Sequence, residues 1–252
     1  MLYDLNEPFL GHNKDNELDD EQIDKIISQK MREGFISKVY GIIAYQILVT
    51  SIVVYLGFVN TWFQEVILQS KFFLGLNIVV TITCLFLPMF SAKLLQKMPW
   101  NYIILTLFTI SFSCIISMET YKYTVKSVMS ALFLTLVTVL TLTYYAWKTK
   151  TDFTVHSGTL LVCLVLLICS SLIFVIIRIP FSNLLIMYGS LVLCCIYLIY
   201  DTQLLIGRRG KKFSEDDYIL AAITLYLDII VLFLQILKIF GDKKSTSNKE
   251  EV

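Results

Sequence analysis

Seven runs of about 20 apolar residues, set apart by short polar joints, constrain this chain more than any other feature. They are Val39–Val59, Phe72–Phe90, Tyr102–Met118, Ser127–Trp147, Gly158–Ile177, Leu184–Ile206 and Tyr218–Phe240. At a rise of 1.5 Å per residue, a run of about 20 crosses the ~30 Å hydrocarbon core of a bilayer. Lipid offers no water to an open backbone, so the runs predict helices, although their Val, Ile, Thr and Phe content would suit strands in water. Their length and lack of alternation point the same way. The expected fold is an all-α membrane protein, a seven-transmembrane-helix bundle over residues 36–240. An acidic tail (1–35) precedes it and a polar tail (241–252) follows it.

Composition agrees. The chain is 56% hydrophobic and 16% charged, where a soluble domain is about 45–50% apolar and about 25% charged. Mean hydropathy is +0.71. A disordered chain, a collagen-like fibre and a small disulfide scaffold are excluded. With 21 bases, 20 acids and a net charge of +1, no global field suggests nucleic acid as a partner.

Placement of the charges is more informative. Residues 1–35 hold nine acids and four bases. They show no basic stretch leading into an apolar run, so no cleavable signal is expected, and no Met-Gly start that would suggest myristoylation. Asp19 and Asp20 are expected to cap a short helix with Ile23, Ile26, Ile27 and Met31 on one face. Two readings stay open for it: an interfacial or partner-binding helix, and a frayed tail. Basic residues near the span ends fall twelve on the side of the N-tail and of the second, fourth and sixth joints, and four on the other. That asymmetry predicts a cytosolic N-terminus. Seven spans then carry the C-tail across the membrane despite Lys243, Lys244 and Lys249, so a re-entrant last segment is the alternative.

All six cysteines lie inside apolar runs, without Cys-x-x-Cys, and read as small apolar filler. His12 and His156 have no partner cluster, so no zinc site is expected. Phosphate-binding, serine-hydrolase and zinc-protease motifs are absent, and the chain is not expected to be an enzyme.

Two acids lie deep in the runs: Asp201 and Asp228. An ionised side chain at the centre of a membrane helix costs about 2.5–3.5 kcal/mol on insertion scales, and such residues usually face a bundle interior or a wet cavity. Asp201 lies about 9 Å, and Asp228 about 15 Å, from the joint between their antiparallel helices, which puts them within about one turn of each other. Two carboxylates that close cannot both ionise freely in a dry site, so they are expected to titrate as a coupled pair. Hard oxygen ligands suit a proton or weakly held Ca²⁺. The bland reading is a pair of helix-packing aspartates. The joint carries Arg208, Arg209, Lys211 and Lys212, suited to anionic headgroups. Glu215, Asp216 and Asp217 follow, read either as helix-start acids with Ser214 as cap or as accessory acids of a cation-collecting mouth.

The stretches Ile199-Tyr200-Asp201-Thr202, Asp217-Tyr218-Ile219-Leu220-Ala221-Ala222 and Leu225-Tyr226-Leu227-Asp228-Ile229-Ile230 with Leu232-Phe233 resemble the C-terminal signature of the Bax inhibitor motif-containing family, in its Lifeguard and Golgi anti-apoptotic branch. Upstream, Met31-Arg32, Phe35, Lys38-Val39-Tyr40, Gln46-Ile47-Leu48, Pro99-Trp100-Asn101 and Lys150-Thr151-Asp152-Phe153 extend the likeness, which covers about residues 31–240. The resemblance implies a seven-helix protein of Golgi, endoplasmic reticulum or related membranes. It implies a pH-sensitive calcium leak channel that lowers store calcium and restrains apoptosis, with apoptosis regulators or calcium-release channels as partners. Asp201 and Asp228 match the family's paired aspartates, and Asp217 an acidic position before the last helix. Two positions depart from the pattern. Phe108-Thr109 is followed by Phe112 where the branch often has Glu, and the second run has no Arg to bind the pair in a closed state, with Lys93 the candidate substitute.

Three other classes share features with this chain. An intramembrane aspartyl protease would share Tyr200-Asp201, but it needs Gly-x-Gly-Asp where this chain has Leu225-Tyr226-Leu227-Asp228. A seven-helix receptor lacks its Asp-Arg-Tyr and Asn-Pro-x-x-Tyr motifs here. A non-conducting interaction protein that regulates cell death stays as the alternative.

Overall fold

In the computed structural model the described residues are 14–90, 99–177, 182–207 and 214–244. Lys93 and the basic joint Arg208–Lys212 lie outside them. The described residues are mainly helical: α1 (Lys14–Val59), α2 (Lys71–Phe90), α3 (Trp100–Tyr121), α4 (Val125–Lys148), α5 (Ser157–Ile177), α6 (Ser182–Ile206) and α7 (Tyr218–Phe240). Among the described residues there is no strand, only one antiparallel bridge between Tyr123 and Lys243. Short polar residues set the helix starts. Asn60 Oδ1 accepts from the Phe63 amide at 3.1 Å, Thr124 Oγ1 from the Ser127 amide at 3.3 Å, and Asp152 Oδ1 from the Thr154 amide at 3.0 Å.

Among the described residues five helices are long and apolar enough to cross a membrane, and a sixth span results if the stretch Thr61–Ile67 and the helix from Lys71, bent by 75°, count as one. The expected all-α membrane bundle is present, and five to six of the seven expected spans meet the test of length and composition among those residues. The last segment, expected to be re-entrant or spanning, is one unbroken 23-residue helix that meets the criterion. The sharp break sits instead in the corner after α1, where a π turn over Gln64–Leu68 redirects the chain.

The acidic tail is also placed differently. No helix starts at Asp19 or Asp20. Both lie inside α1, which runs 46 residues without a break into the first apolar run. The tail boundary at residue 35 thus falls mid-helix, because nothing between Lys14 and Val59 breaks helical geometry: the stretch has no Pro, and its three glycines, Gly34, Gly41 and Gly57, leave the helix continuous. Ile23, Ile26, Ile27 and Met31 form an exposed apolar stripe on it.

Burial is inverted relative to a soluble bundle. Large apolar side chains point outward, such as Phe133, Leu140, Leu161 and Leu166, while Gln46, Thr50, Thr109, Ser113, Ser117 and Thr120 are buried between helices. That is how a membrane bundle packs: lipid already satisfies apolar surface, and small or hydroxyl-bearing residues let helices approach and hydrogen-bond. The chain is a multi-pass membrane protein. Its core is α7, whose Ile219, Ala222, Leu225, Tyr226 and Leu232 are nearly inaccessible and which packs against α1, α3, α4 and α6.

Contacts sort the helix ends onto two faces. On the N-tail face, the Arg32 guanidinium donates to the carbonyls of Leu204, at 2.9 Å, and Leu205 at the end of α6. Asn101 at the start of α3 donates to the Tyr218 hydroxyl at the start of α7, 3.0 Å away. On the opposite face, the residues after α7 pair with the joint between α3 and α4: Thr124 N donates to Asp242 O at 3.0 Å, Lys244 N to Lys122 O at 2.9 Å and Asp242 N to Ser127 Oγ at 2.9 Å. The Lys244 ammonium sits 3.9 Å from the Tyr121 ring centroid and 4.8 Å from that of Phe58. Partial burial there pushes its pKa below the usual lysine value.

Candidate functional site: a carboxyl pair between the last two helices

Asp201 lies in the last turns of α6 and is 4% exposed; Asp228 lies mid-way along α7 and is half-buried. Both side chains line one cavity and lie near enough to act on each other. A hydrogen bond between two such carboxyl groups requires a proton on one of them, since two carboxylates offer only acceptors. Asp228 Oδ2 is buried and has no partner.

The pair opens onto a cavity of about 510 Å³ between α5, α6 and α7. Helical spacing builds its walls: Ser190, Cys194, Tyr197 and Asp201 recur every three or four residues along α6, as do Thr224, Asp228, Val231 and Gln235 along α7. The α6 wall extends from Asp201 back toward Ser190, away from the N-tail face, and no α6 residue beyond Asp201 contributes to it. Asp201 on α6 and Thr224 on α7 therefore mark the end of the cavity nearest the N-tail, with Asp228 one turn deeper.

The turn that follows Asp201 is held from two sides. Gln203, fully buried, receives a hydrogen bond from the Phe153 amide at 2.9 Å and donates one to the Thr151 carbonyl at 2.9 Å, which locks the α4–α5 joint to α6. Arg32 covers the carbonyls of Leu204 and Leu205, two groups that the end of a helix otherwise leaves unbonded. Its guanidinium also lies over the Phe35 ring at 4.6 Å. The sequence alone gives no role to Gln203 or to this contact of Arg32. The run Asp201-Thr202-Gln203, three polar residues within an apolar segment, marks the place but not the main-chain partners.

The accessory acids stand apart. Glu215–Asp217 form a 3-10 turn just ahead of α7, about 15 Å along the helix from Asp228. Asp216 is exposed and Asp217 half-buried. They belong to the N-tail face and not to the pair. The candidate Lys93 falls outside the described residues. Among the described residues no three His, Cys, Asp or Glu side chains gather to hold a metal ion. The pair alone is far short of the six to eight oxygens of a resident calcium site.

A second polar seam crosses the bundle behind the pair. The Tyr226 hydroxyl, two residues before Asp228, lies 2.7 Å from Thr50 Oγ1, which is 2.9 Å from Ser113 Oγ; one turn away Gln46 donates to Thr109 at 3.2 Å. Stacked Phe108 and Phe112 meet the Tyr226 ring edge-on. This seam joins α1, α3 and α7 and leaves the opposite flank of α7 to face α6.

Comparison with known proteins gives consistent relatives. The model of the family described as "Inhibitor of apoptosis-promoting Bax1" matches residues 32–245. Protein lifeguard 3 of Homo sapiens is 32% identical over 220 residues, covering 85% of this chain and 70% of that protein. Protein LIFEGUARD 4 of Arabidopsis thaliana is 35% identical over 223 residues, covering 84% and 86%. Protein lifeguard 3 of Mus musculus is 30% identical over 220 residues, covering 85% and 71%.

Proposed function

The chain belongs to the family of the inhibitor of apoptosis-promoting Bax1, and on that premise we propose that it is a pH-sensitive calcium leak pathway of Golgi or endoplasmic reticulum membranes that lowers store calcium and restrains apoptosis. The observation that carries the reading is that Asp201 and Asp228, from neighbouring helices, line one cavity in the membrane domain. Protons and calcium compete for the same carboxylate oxygens, since a metal ligand must be deprotonated. The cavity leads from the pair toward the face opposite the N-tail. The Gln203 and Arg32 contacts hold the other end shut, which supports a closed state.

The two sets of end contacts support seven alternating passes. α1, α3 and α7 run from the N-tail face to the other, and α4 and α6 return, so α2 and α5 complete the count. The basic asymmetry of the joints supports a cytosolic N-tail face. A protease reading fits less well, because Leu225 and Tyr226 are packed tightly beside Asp228 and leave no strip of open backbone for a substrate.

The test is calcium flux in liposomes containing the purified protein, across about pH 6–8. Asp201→Asn and Asp228→Asn are each expected to change flux and its pH response. Unchanged flux in both overturns the pathway. A flux-silent protein that still protects cells would favour a non-conducting regulator of cell death.

A further inference from the structure

At the N-tail face, away from the carboxyl pair, a groove of about 410 Å³ separates α1 from α3. That volume is in the range of small-ligand sites. Its rim carries Lys38, Tyr102 and Tyr218; its floor descends through Gly41 and Ile42 to Tyr45 and Leu105. Lys38 to Tyr45 is about 10 Å along α1, so the groove passes from a cationic, phenolic rim into apolar depth along the membrane normal.

The polar groups at the rim are organised. Asn101 donates to the Tyr218 oxygen at 3.0 Å, and the Tyr102 side chain lies near enough to act on Tyr218. The Tyr102 hydroxyl can both donate and accept, so it is able to donate to an anion in the groove. Lys38 lies 5.9 Å from the Tyr218 ring centroid. Among the described residues it pairs with no carboxylate. Asp216 is near enough to act on Tyr218 and weighs against a multiply charged ligand. Gly41 leaves the floor bare, and a Cβ added there would meet nothing within 4 Å.

We propose that this groove binds one singly charged anionic phospholipid from the leaflet on the N-tail side. Its phosphate would be held by the Lys38 ammonium and the Tyr102 hydroxyl, and a chain would lie over Gly41 against Ile42 and Leu105. A cation and phenols at headgroup depth, above an apolar trough, match the two ends of such a lipid.

The test is native mass spectrometry of the full-length protein in mild detergent, titrated with phosphatidylglycerol and, separately, phosphatidylcholine. The wild type should retain one phosphatidylglycerol in preference to phosphatidylcholine. Lys38→Gln should weaken retention about five-fold. Gly41→Leu, whose Cβ meets nothing within 4 Å and whose longer side chain fills the trough, should abolish it at an unchanged melting temperature. Tyr102→Phe decides the matter should Gly41→Leu fold poorly, and is expected to weaken retention. Lys126→Gln, on the opposite face, should do nothing. Equal retention in Lys38→Gln and Tyr102→Phe, or equal loss in Lys126→Gln, would overturn the site. Displacement of the lipid by glycerol 3-phosphate would assign the groove to a soluble phosphate instead.

Discussion

Gln203→Leu is the substitution that most directly probes how the end of the cavity is closed. The side chain is fully buried, and both ends of its amide are used on the α4–α5 joint, each at 2.9 Å. Leucine fills nearly the same volume, so the change removes two hydrogen bonds with little loss of packing. Each bond is worth about 0.5–1.5 kcal/mol net, and a backbone group left dry costs more. Thr151 is exposed and Phe153 half-buried, so water can reach the Thr151 carbonyl more readily than the Phe153 amide. The expected total is therefore about 1–3 kcal/mol. The reporter is hydrogen exchange at Phe153, whose amide is protected by Gln203. Exchange should accelerate by about 5- to 150-fold, since each 1.4 kcal/mol is tenfold. Unfolding by detergent titration should show the same loss. Thr138→Val is the control, because its hydroxyl bonds only to its own helix at Leu134; it should stay within about 0.5 kcal/mol of the wild type. Unchanged exchange at Phe153 would refute the clamp.

Three further outcomes are expected. In liposomes the calcium concentration for half-maximal flux should rise as pH falls, by up to about tenfold per pH unit if one proton competes with one calcium ion; the double variant Asp201→Asn, Asp228→Asn should show no such shift. Tyr226→Phe removes the hydroxyl 2.7 Å from Thr50 and should cost about 0.6 kcal/mol, at most about 1.7, by detergent-titration unfolding. Ser127→Ala deletes the acceptor of the Asp242 amide; it should raise hydrogen exchange over residues 241–244 and lower stability by about 1 kcal/mol.

The helices were legible because lipid leaves the backbone one option: an apolar run long enough to cross must be a helix. The carboxyl pair was legible for a related reason, since two acids inside such runs are expensive enough to need a purpose, and helical rise alone set them one turn apart. What escaped the sequence is the backbone's side of the site. Gln203 and Arg32 act on main-chain carbonyls and an amide, and main-chain partners carry no residue signature. The continuity of α1 was missed because Asp19 and Asp20 are good caps by type, yet a cap needs a chain that departs from helical dihedrals, and nothing upstream forces it to do so. The groove at Lys38 was invisible because its residues come from α1, α3 and α7 and meet only once the bundle forms.

The C-tail shows how a charge tally and a contact can disagree. Lys243 and Lys244 argue for a tail on the same side as the N-terminus when basic residues are merely counted. The residues that bear them bond instead to the joint between α3 and α4: Lys243 bridges Tyr123, and the Lys244 amide reaches Lys122. The Lys244 ammonium packs on two rings rather than standing free in solvent. The basic-residue rule concerns flexible segments choosing a side before they are packed. A short segment tied by two backbone hydrogen bonds, a third to the Ser127 hydroxyl and two aromatic rings has its side set by the helix it ends, and α7 is unbroken from Tyr218 to Phe240. In the seven-pass reading, those two lysines carry little weight against the twelve basic residues at the other face, and the re-entrant alternative loses the observation that first suggested it.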